Sequence, residues 1–143
     1  MKKVNLFSDG SALGNPGPGG YCTILKYKDK EKIIKGSEPL TTNNKMELRA
    51  VIEGLKSLKE PCEVTIYSDS NYVVKSINEW LDSWIKKSFK NVKNVDLWKE
   101  YIKVSSPHKI KAIWVRGHSG HIENERCDKI AKNEAKRVKE LVG

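Results

Sequence analysis

The sequence predicts one α/β domain built on a five-stranded mixed sheet, three antiparallel strands followed by two parallel ones, with helices flanking it. Three observations predict this. Five runs rich in β-branched and aromatic residues occur at residues 4–7, 21–28, 31–37, 62–67 and 109–115. Only turn residues separate the first three, which is the pattern of an antiparallel meander. Helical apolar spacing separates the third run from the fourth and the fourth from the fifth, and such crossovers join parallel strands. At 143 residues the chain is a single domain, residues 1–143, long enough to bury a core.

The first run, VNLF, delivers Ser8-Asp9-Gly10-Ser11, a carboxylate among small residues. Gly14-Asn15-Pro16-Gly17-Pro18-Gly19-Gly20 reads as a turn, because Gly and Pro at that density keep a chain out of helix. An Asp before a Gly is most often a turn residue, so its meaning depends on whether later acids reach the same point. Residues 21–28 (YCTILKYK) form the second strand, Asp29-Lys30 a tight turn, and residues 31–37 the third strand. Leu40-Thr41-Thr42-Asn43-Asn44 is a cap-rich entry to a helix over about 45–58, with Leu48, Val51, Ile52, Leu55 and Leu58 on its apolar stripe. Glu47 precedes Val51 by four residues and Leu55 by eight, so it shares that stripe at the first turn. The helix dipole accounts for an acid in the first turn. It does not account for an acid on the buried face, which needs a partner or a metal ion.

Residues 62–67 (CEVTIY) form a strand that also ends in an acid, Ser68-Asp69-Ser70, before a helix over about 71–77. Asp69 is then either a helix N-cap or a carboxylate at the carboxyl edge of a parallel strand, where α/β sheets hold ligands. Residues 80–98 (WLDSWIKKSFKNVKNVDLW) interleave Lys86, Lys87, Lys90 and Lys93 with Trp80, Trp84, Phe89 and Trp98. Such a segment suits a nucleic-acid backbone, or it packs as amphipathic helices with buried tryptophans and solvated lysines; some of both is expected. A helix follows over about 96–105, then the last strand, 109–115. It leads into Arg116-Gly117-His118-Ser119-Gly120-His121, a loop whose histidine titrates near neutral pH. The closing helix, about 122–141, carries Cys127, Ile130, Ala131, Ala135, Val138 and Leu141 on its apolar stripe, with Asp128 beside it. His118, His121 and Cys127 fit no familiar zinc spacing.

Lys and Arg outnumber Asp and Glu by 27 to 18, a formal net charge of +9 that predicts a polyanionic partner, nucleic acid or an anionic membrane. No apolar run is long enough to cross a bilayer. The stretch after Met1-Lys2-Lys3 stops at Ser8-Asp9, too short for a signal-peptide core. Scattered Cys22, Cys62 and Cys127 imply reduced thiols and a cytoplasmic setting. No apolar face is left over to demand a partner, so a monomer is expected.

Together these motifs resemble the type 1 ribonuclease H family, in its bacterial form with a basic protrusion. The resemblance rests on Asp9-Gly10-Ser11 with Gly14-Asn15-Pro16-Gly17, and on Thr42-Asn43-Asn44-Lys45-Met46-Glu47-Leu48. It continues through Tyr67-Ser68-Asp69-Ser70, Asn94-Val95-Asp96-Leu97-Trp98, and Gly117-His118-Ser119-Gly120-His121 with Glu123-Asn124-Glu125-Arg126-Cys127-Asp128. These stretches span nearly the whole chain in the family's order.

The resemblance implies a ribonuclease H-like fold and an endonuclease that cleaves the RNA strand of RNA–DNA hybrids with two metal ions, leaving 5′-phosphate and 3′-hydroxyl ends. It implies that Asp9, Glu47, Asp69 and Asp128 are catalytic carboxylates holding two Mg²⁺ ions, with Mn²⁺ as the substitute ion. Oxygen-only donors are what Mg²⁺ prefers, and two such ions assist in-line displacement at phosphorus. His118 is implied to move protons or assist product release. Asn15, Asn43, Asn44 and Asn71 match residues that read the hybrid's minor groove, where the 2′-hydroxyl distinguishes RNA from DNA. Asn71 stands where many relatives carry Gln. Thr42 matches a DNA-phosphate pocket, and Trp80 with Lys86 and Lys87 matches the DNA-strand channel of the protrusion, about residues 80–98. The chain begins at the first strand, without the N-terminal hybrid-binding module of some relatives, so the protrusion is expected to supply most of the affinity. Two rivals are a catalytically silent hybrid-binding domain and an integrase- or resolvase-like DNA nuclease. Retention of all four acids and the histidine loop argues against the first, and the asparagine set against the second.

Overall fold

The computed structural model describes residues 1–117 and 121–143. Strands β1 (Lys2–Ala12), β2 (Gly17–Tyr27) and β3 (Lys30–Thr41) form the meander, and helix α1 (Asn43–Lys56) crosses to β4 (Cys62–Ser68). Helix α2 (Asn71–Lys75) runs through a π-helical turn (Ser76–Trp80) into α3 (Leu81–Lys86). Helix α4 (Val95–Ser105), β5 (Lys109–Trp114) and α5 (Ile122–Val142) follow. The sheet order is β3-β2-β1-β4-β5, with β1 antiparallel to β2, parallel to β4, and β4 parallel to β5. This is the five-stranded mixed sheet expected from the sequence.

Several boundaries differ, each for a local reason. Strand β1 does not stop at Phe7; it runs through Asp9 to Ala12 because β2 keeps pairing with it, Asp9 opposite Cys22 and Ala12 opposite Gly19. Gly17 to Gly20 is therefore strand rather than turn. Its glycines answer to crowding: a Cβ on Gly20 would meet Ala131 O of α5 at 2.4 Å. The tight turn between β2 and β3 is Lys28-Asp29, not Asp29-Lys30. Strand β3 extends to Thr41, so α1 begins at Asn43 with Thr42 as its N-cap, Oγ1 accepting the Lys45 N–H at 3.2 Å.

Two apolar layers hold the sheet. On one face the α1 stripe of Leu48, Val51, Ile52 and Leu55 is buried against Leu6, Val64 and Ile66. Burying these four aliphatic side chains contributes roughly 6–12 kcal/mol gross, against about 1 kcal/mol for the Thr42 cap. Packing, rather than capping, fixes α1 and whatever it carries. Trp98 of α4 is fully buried in the same layer, edge-on to Tyr72, Trp84 and Tyr101, with its indole N–H donating to the Tyr72 hydroxyl at 2.8 Å. The aromatic and basic segment is thus divided: Trp84, Phe89 and Trp98 join the core, while Trp80 stays 42% exposed. On the opposite face α5 lays Cys127 and Ala131 on Phe7, Cys22 and Ile24. The stripe's last position, Leu141, is exposed in the final turn rather than buried.

Candidate active site

One carboxylate oxygen from each of Asp9, Glu47 and Asp69 lies within 4.8 Å of the others. The sheet explains why residues so far apart in sequence meet. The parallel β1–β4 ladder ends at Phe7 opposite Tyr67. Beyond that pair β1 stays with β2 and carries Asp9, while β4 ends at Ser68 and hands the chain to Asp69. Divergence at the carboxyl edge of parallel strands opens a crevice. Helix α1 brings buried Glu47 over β1, and its approach requires glycine at position 10. A Cβ there would sit 2.3 Å from both Glu47 N and the Met46 carbonyl carbon. The Gly10 N–H donates to Asp9 Oδ1 at 2.9 Å and also to Glu47 Oε1, so one backbone donor ties the strand acid to the helix acid.

Asp69 does not cap α2. Ser70 does, its Oγ accepting the Val73 N–H at 3.2 Å, and Asp69 lines the crevice instead. The backbone here is held from β5. The Val115 N–H donates to Ser68 O at 2.9 Å, and the Trp114 indole N–H donates to Asp69 O at 3.1 Å. Asp128 lines the same cavity, of about 160 Å³, together with Asp9, Asp69, Gly117, Asn124 and Lys129. It stands outside the three-acid group, and Lys132 Nζ holds its Oδ2 at 3.0 Å.

Burial pushes the Asp9 carboxyl up to about 7; a hydrogen bond with Glu47 opposes the rise, and the charges of Asp69 and Asp128 add to it. Glu47 is pushed well above the usual carboxylate range, first by burial, then by the charge of Asp9 and its hydrogen bond to Asp9. Both shifts have one origin: burial and mutual charge make each of these two carboxyls harder to ionise beside the other. A cluster that retains protons near neutral pH is short of positive charge. Its donors are all hard carboxylate oxygens, without nitrogen or sulfur, and fit a cation of the Mg²⁺ class.

The other expected residues fall at separate places around this crevice. Asn15 Oδ1 accepts the Asn43 N–H at 3.3 Å and Asn43 Oδ1 accepts the Ala12 N–H at 3.2 Å, joining the turn after β1 to the start of α1. Asn15, Asn43 and Asn44 are exposed there with Thr42 half-buried beside them, and Asn71 is exposed at the start of α2. Trp80 leans on Trp84 at 6.1 Å between ring centroids, and Lys86 and Lys87 are exposed at the end of α3. His118 lies outside the described residues. His121 packs edge-on to Tyr67 and Phe7, and among the described residues no set able to share a cation includes it or Cys127. Sequence reasoning does not single out Gly10 as the shared donor, nor Asn124, whose Nδ2 donates to Tyr67 O at 3.0 Å and Ser8 O at 3.5 Å. The signals available for Asn124 are its place in the 123–128 stretch that carries the resemblance and its position four residues before Asp128 on a helix.

A family model described as RNase H matches residues 1–136. Ribonuclease H of Sulfurovum sp. (strain NBC37-1) is 65% identical over 138 residues, which cover 96% of this chain and 94% of that protein. Ribonuclease HI of Helicobacter pylori (strain ATCC 700392 / 26695) is 64% identical over 140 residues, covering 97% and 98%. Among solved structures, LC9-RNase H1, described as a type 1 RNase H with the type 2 active-site motif, superposes with a TM-score of 0.87 at 31% identity, over 96% of this chain and 74% of that one.

Proposed function

The chain belongs to the ribonuclease H family, and from that premise we propose that it hydrolyses the RNA strand of RNA–DNA hybrids at the acidic crevice, with two Mg²⁺ ions as cofactor. The observation that carries this reading is the convergence of Asp9, Glu47 and Asp69 within 4.8 Å, in a crevice that Asp128 also lines. In this reading those four acids hold the ions, and Mn²⁺ is the alternative ion. Bound divalent cations supply activation of the attacking water and neutralise charge on the scissile phosphate and departing 3′-oxygen, giving 5′-phosphate and 3′-hydroxyl ends.

The chain's own groups do the rest. The Gly10 N–H orients the Asp9 and Glu47 carboxylates. Positive charge entering the cluster favours ionised Glu47, whose carboxyl is otherwise held above the usual range by burial. His118, four residues after the end of β5 in the sequence, moves protons or assists product release. Asn15, Asn43, Asn44 and Asn71 offer exposed amides to the minor groove, and the Asn15–Asn43 hydrogen bond presents two of them as a unit. The Thr42 hydroxyl accepts a backbone N–H and keeps its own proton to donate, at a helix N-terminus that favours a DNA phosphate. Trp80, Lys86 and Lys87 receive the DNA strand, within a chain of net charge +9.

Three free, buried cysteines support a reducing, cytoplasmic setting. Among the described residues no helix is long and apolar enough to cross a membrane. Large exposed hydrophobics are spread over β3, α3, β5 and α5, which supports a monomer. The test is a hybrid labelled on its RNA strand, with RNA–RNA and DNA–DNA controls. Only the hybrid's RNA is cut, only with divalent ion, and Asp9→Asn abolishes cutting while still binding hybrid. Cleavage in chelator, equal cleavage of DNA–DNA, or full turnover by Asp9→Asn contradicts the proposal.

A further inference from the structure

We propose that Asn124 is a positioning residue that sets the spacing of the acids on β1, just after β4 and on α5, and through it the site's affinity for divalent cations; this rests on the metal-dependent reading above. The Asn124 amide sits where the two parallel strands part. Phe7 opposite Tyr67 is the last β1–β4 pair, and Nδ2 donates to the carbonyls of Tyr67, at 3.0 Å, and Ser8, at 3.5 Å. Ser8 is the residue before Asp9, and Tyr67 lies two before Asp69. One amide thus bridges the backbones of both acid-bearing strands at the point where their own ladder gives out.

The same side chain belongs to the first turn of α5, one helical turn before Asp128, and lines the cavity that Asp9, Asp69 and Asp128 share. The Asn124 contacts therefore reference α5, and with it Asp128, to both strands. The orientation of the amide is dictated by its neighbours, since the flipped form would set Oδ1 against two carbonyl oxygens. In the orientation held, Oδ1 is buried with no partner among the described residues. An unsatisfied buried acceptor lowers stability, so what this amide contributes comes from its two donor bonds. The spacing it holds is one the acids themselves oppose, because the charges of Asp69 and Asp128 both act against ionised Asp9.

The test uses the full chain with Asn124→Ala and Asn124→Asp, and Asp9→Asn as control. Mn²⁺ binding is titrated by the electron paramagnetic resonance signal of the free ion, independently of turnover. Near-ultraviolet circular dichroism identifies which variants are folded, and either variant alone carries the test. In Asn124→Ala the half-saturating Mn²⁺ concentration rises about tenfold or more, as for lost partners behind metal ligands, while KM for hybrid at saturating metal holds and kcat falls. Asn124→Asp separates positioning from charge. It adds a negative group to the cavity but loses the donor, so positioning predicts weaker Mn²⁺ binding than wild type, whereas charge counting predicts tighter. Wild-type or tighter binding by Asn124→Asp, or unchanged binding by folded Asn124→Ala, overturns the inference. Failure of the underlying reading shows itself separately: wild type then binds no Mn²⁺, or Asp9→Asn binds it as wild type does.

Discussion

Replacing Asp9 by Asn removes one negative charge from the acid cluster while keeping the side chain's shape and the acceptor for the Gly10 N–H. Burial and neighbouring charge lift Asp9 from an ordinary 3.8 to about 7. A carboxyl raised in this way takes up protons on folding, so metal-free protein loses stability as pH climbs from about 4 to about 7, and the loss is complete above that window. Full conversion of the lift sets a ceiling of about 4 kcal/mol. The replacement amide is itself buried at this position and gives up solvation, so only part of the lift is recovered, and the expected gain for Asp9→Asn at pH 8 is about 1–2 kcal/mol, or roughly 3–8 °C in melting midpoint for a domain of this size. Thermal unfolding followed by circular dichroism in chelator reads it directly. The variant melts above wild type at pH 8, and the gap narrows toward pH 4, where the native-state carboxyl is protonated. Excess Mg²⁺ reverses the order, because only wild type gains full binding stabilisation. A variant midpoint below wild type in chelator at pH 8, or a gap that ignores pH, would refute the electrostatic reasoning.

Three further outcomes are expected. Gly10→Ala drives a Cβ into the backbone of Met46 and Glu47, so it lowers stability by about 1–3 kcal/mol or more and displaces α1 with its acid; wild-type denaturation midpoint and turnover would contradict this. Trp98→Ala empties the fully buried centre of the Tyr72–Trp84–Tyr101 cluster and costs about 3–5 kcal/mol, read by urea unfolding. If the protrusion and its neighbours make about four phosphate contacts, hybrid affinity falls on the order of a hundredfold between ~50 and ~200 mM salt, and Lys86→Ala with Lys87→Ala flattens the dependence. Fluorescence anisotropy measures it, and an affinity indifferent to salt removes those lysines from the interface.

Much of the fold is legible because its signals are local. The alternation in β4, with Cys62, Val64, Ile66 and Ser68 buried and the residues between them half-exposed, is visible in CEVTIYS itself. The placement of Glu47 on the apolar stripe of α1 is legible for the same reason, since helical spacing alone puts it with Val51 and Leu55. What escapes is set by contacts between distant elements. Strand β1 outlasts its apolar run because β2 continues to pair with it, and nothing in Ser8-Asp9-Gly10-Ser11 announces that. Asp69 and Ser70 are both good cap residues, and only the geometry shows that Ser70 takes the cap. Gly10 reads as a turn glycine until α1 is seen packed on it, and Asn124 as one polar residue among several until its carbonyl partners arrive from two strands. The tryptophans of the basic segment look alike in sequence; Trp98 is buried because α4 packs against α1 and Tyr72, Trp84 and Tyr101 surround it, while Trp80 stays exposed.

The most direct measurement of the central claim is anomalous diffraction from a crystal of the protein soaked in Mn²⁺. The account predicts anomalous peaks in the crevice bounded by the Asp9, Glu47, Asp69 and Asp128 carboxylates. Ordered carboxylates with no peak between them, or Mn²⁺ bound only at other places on the surface, would contradict it.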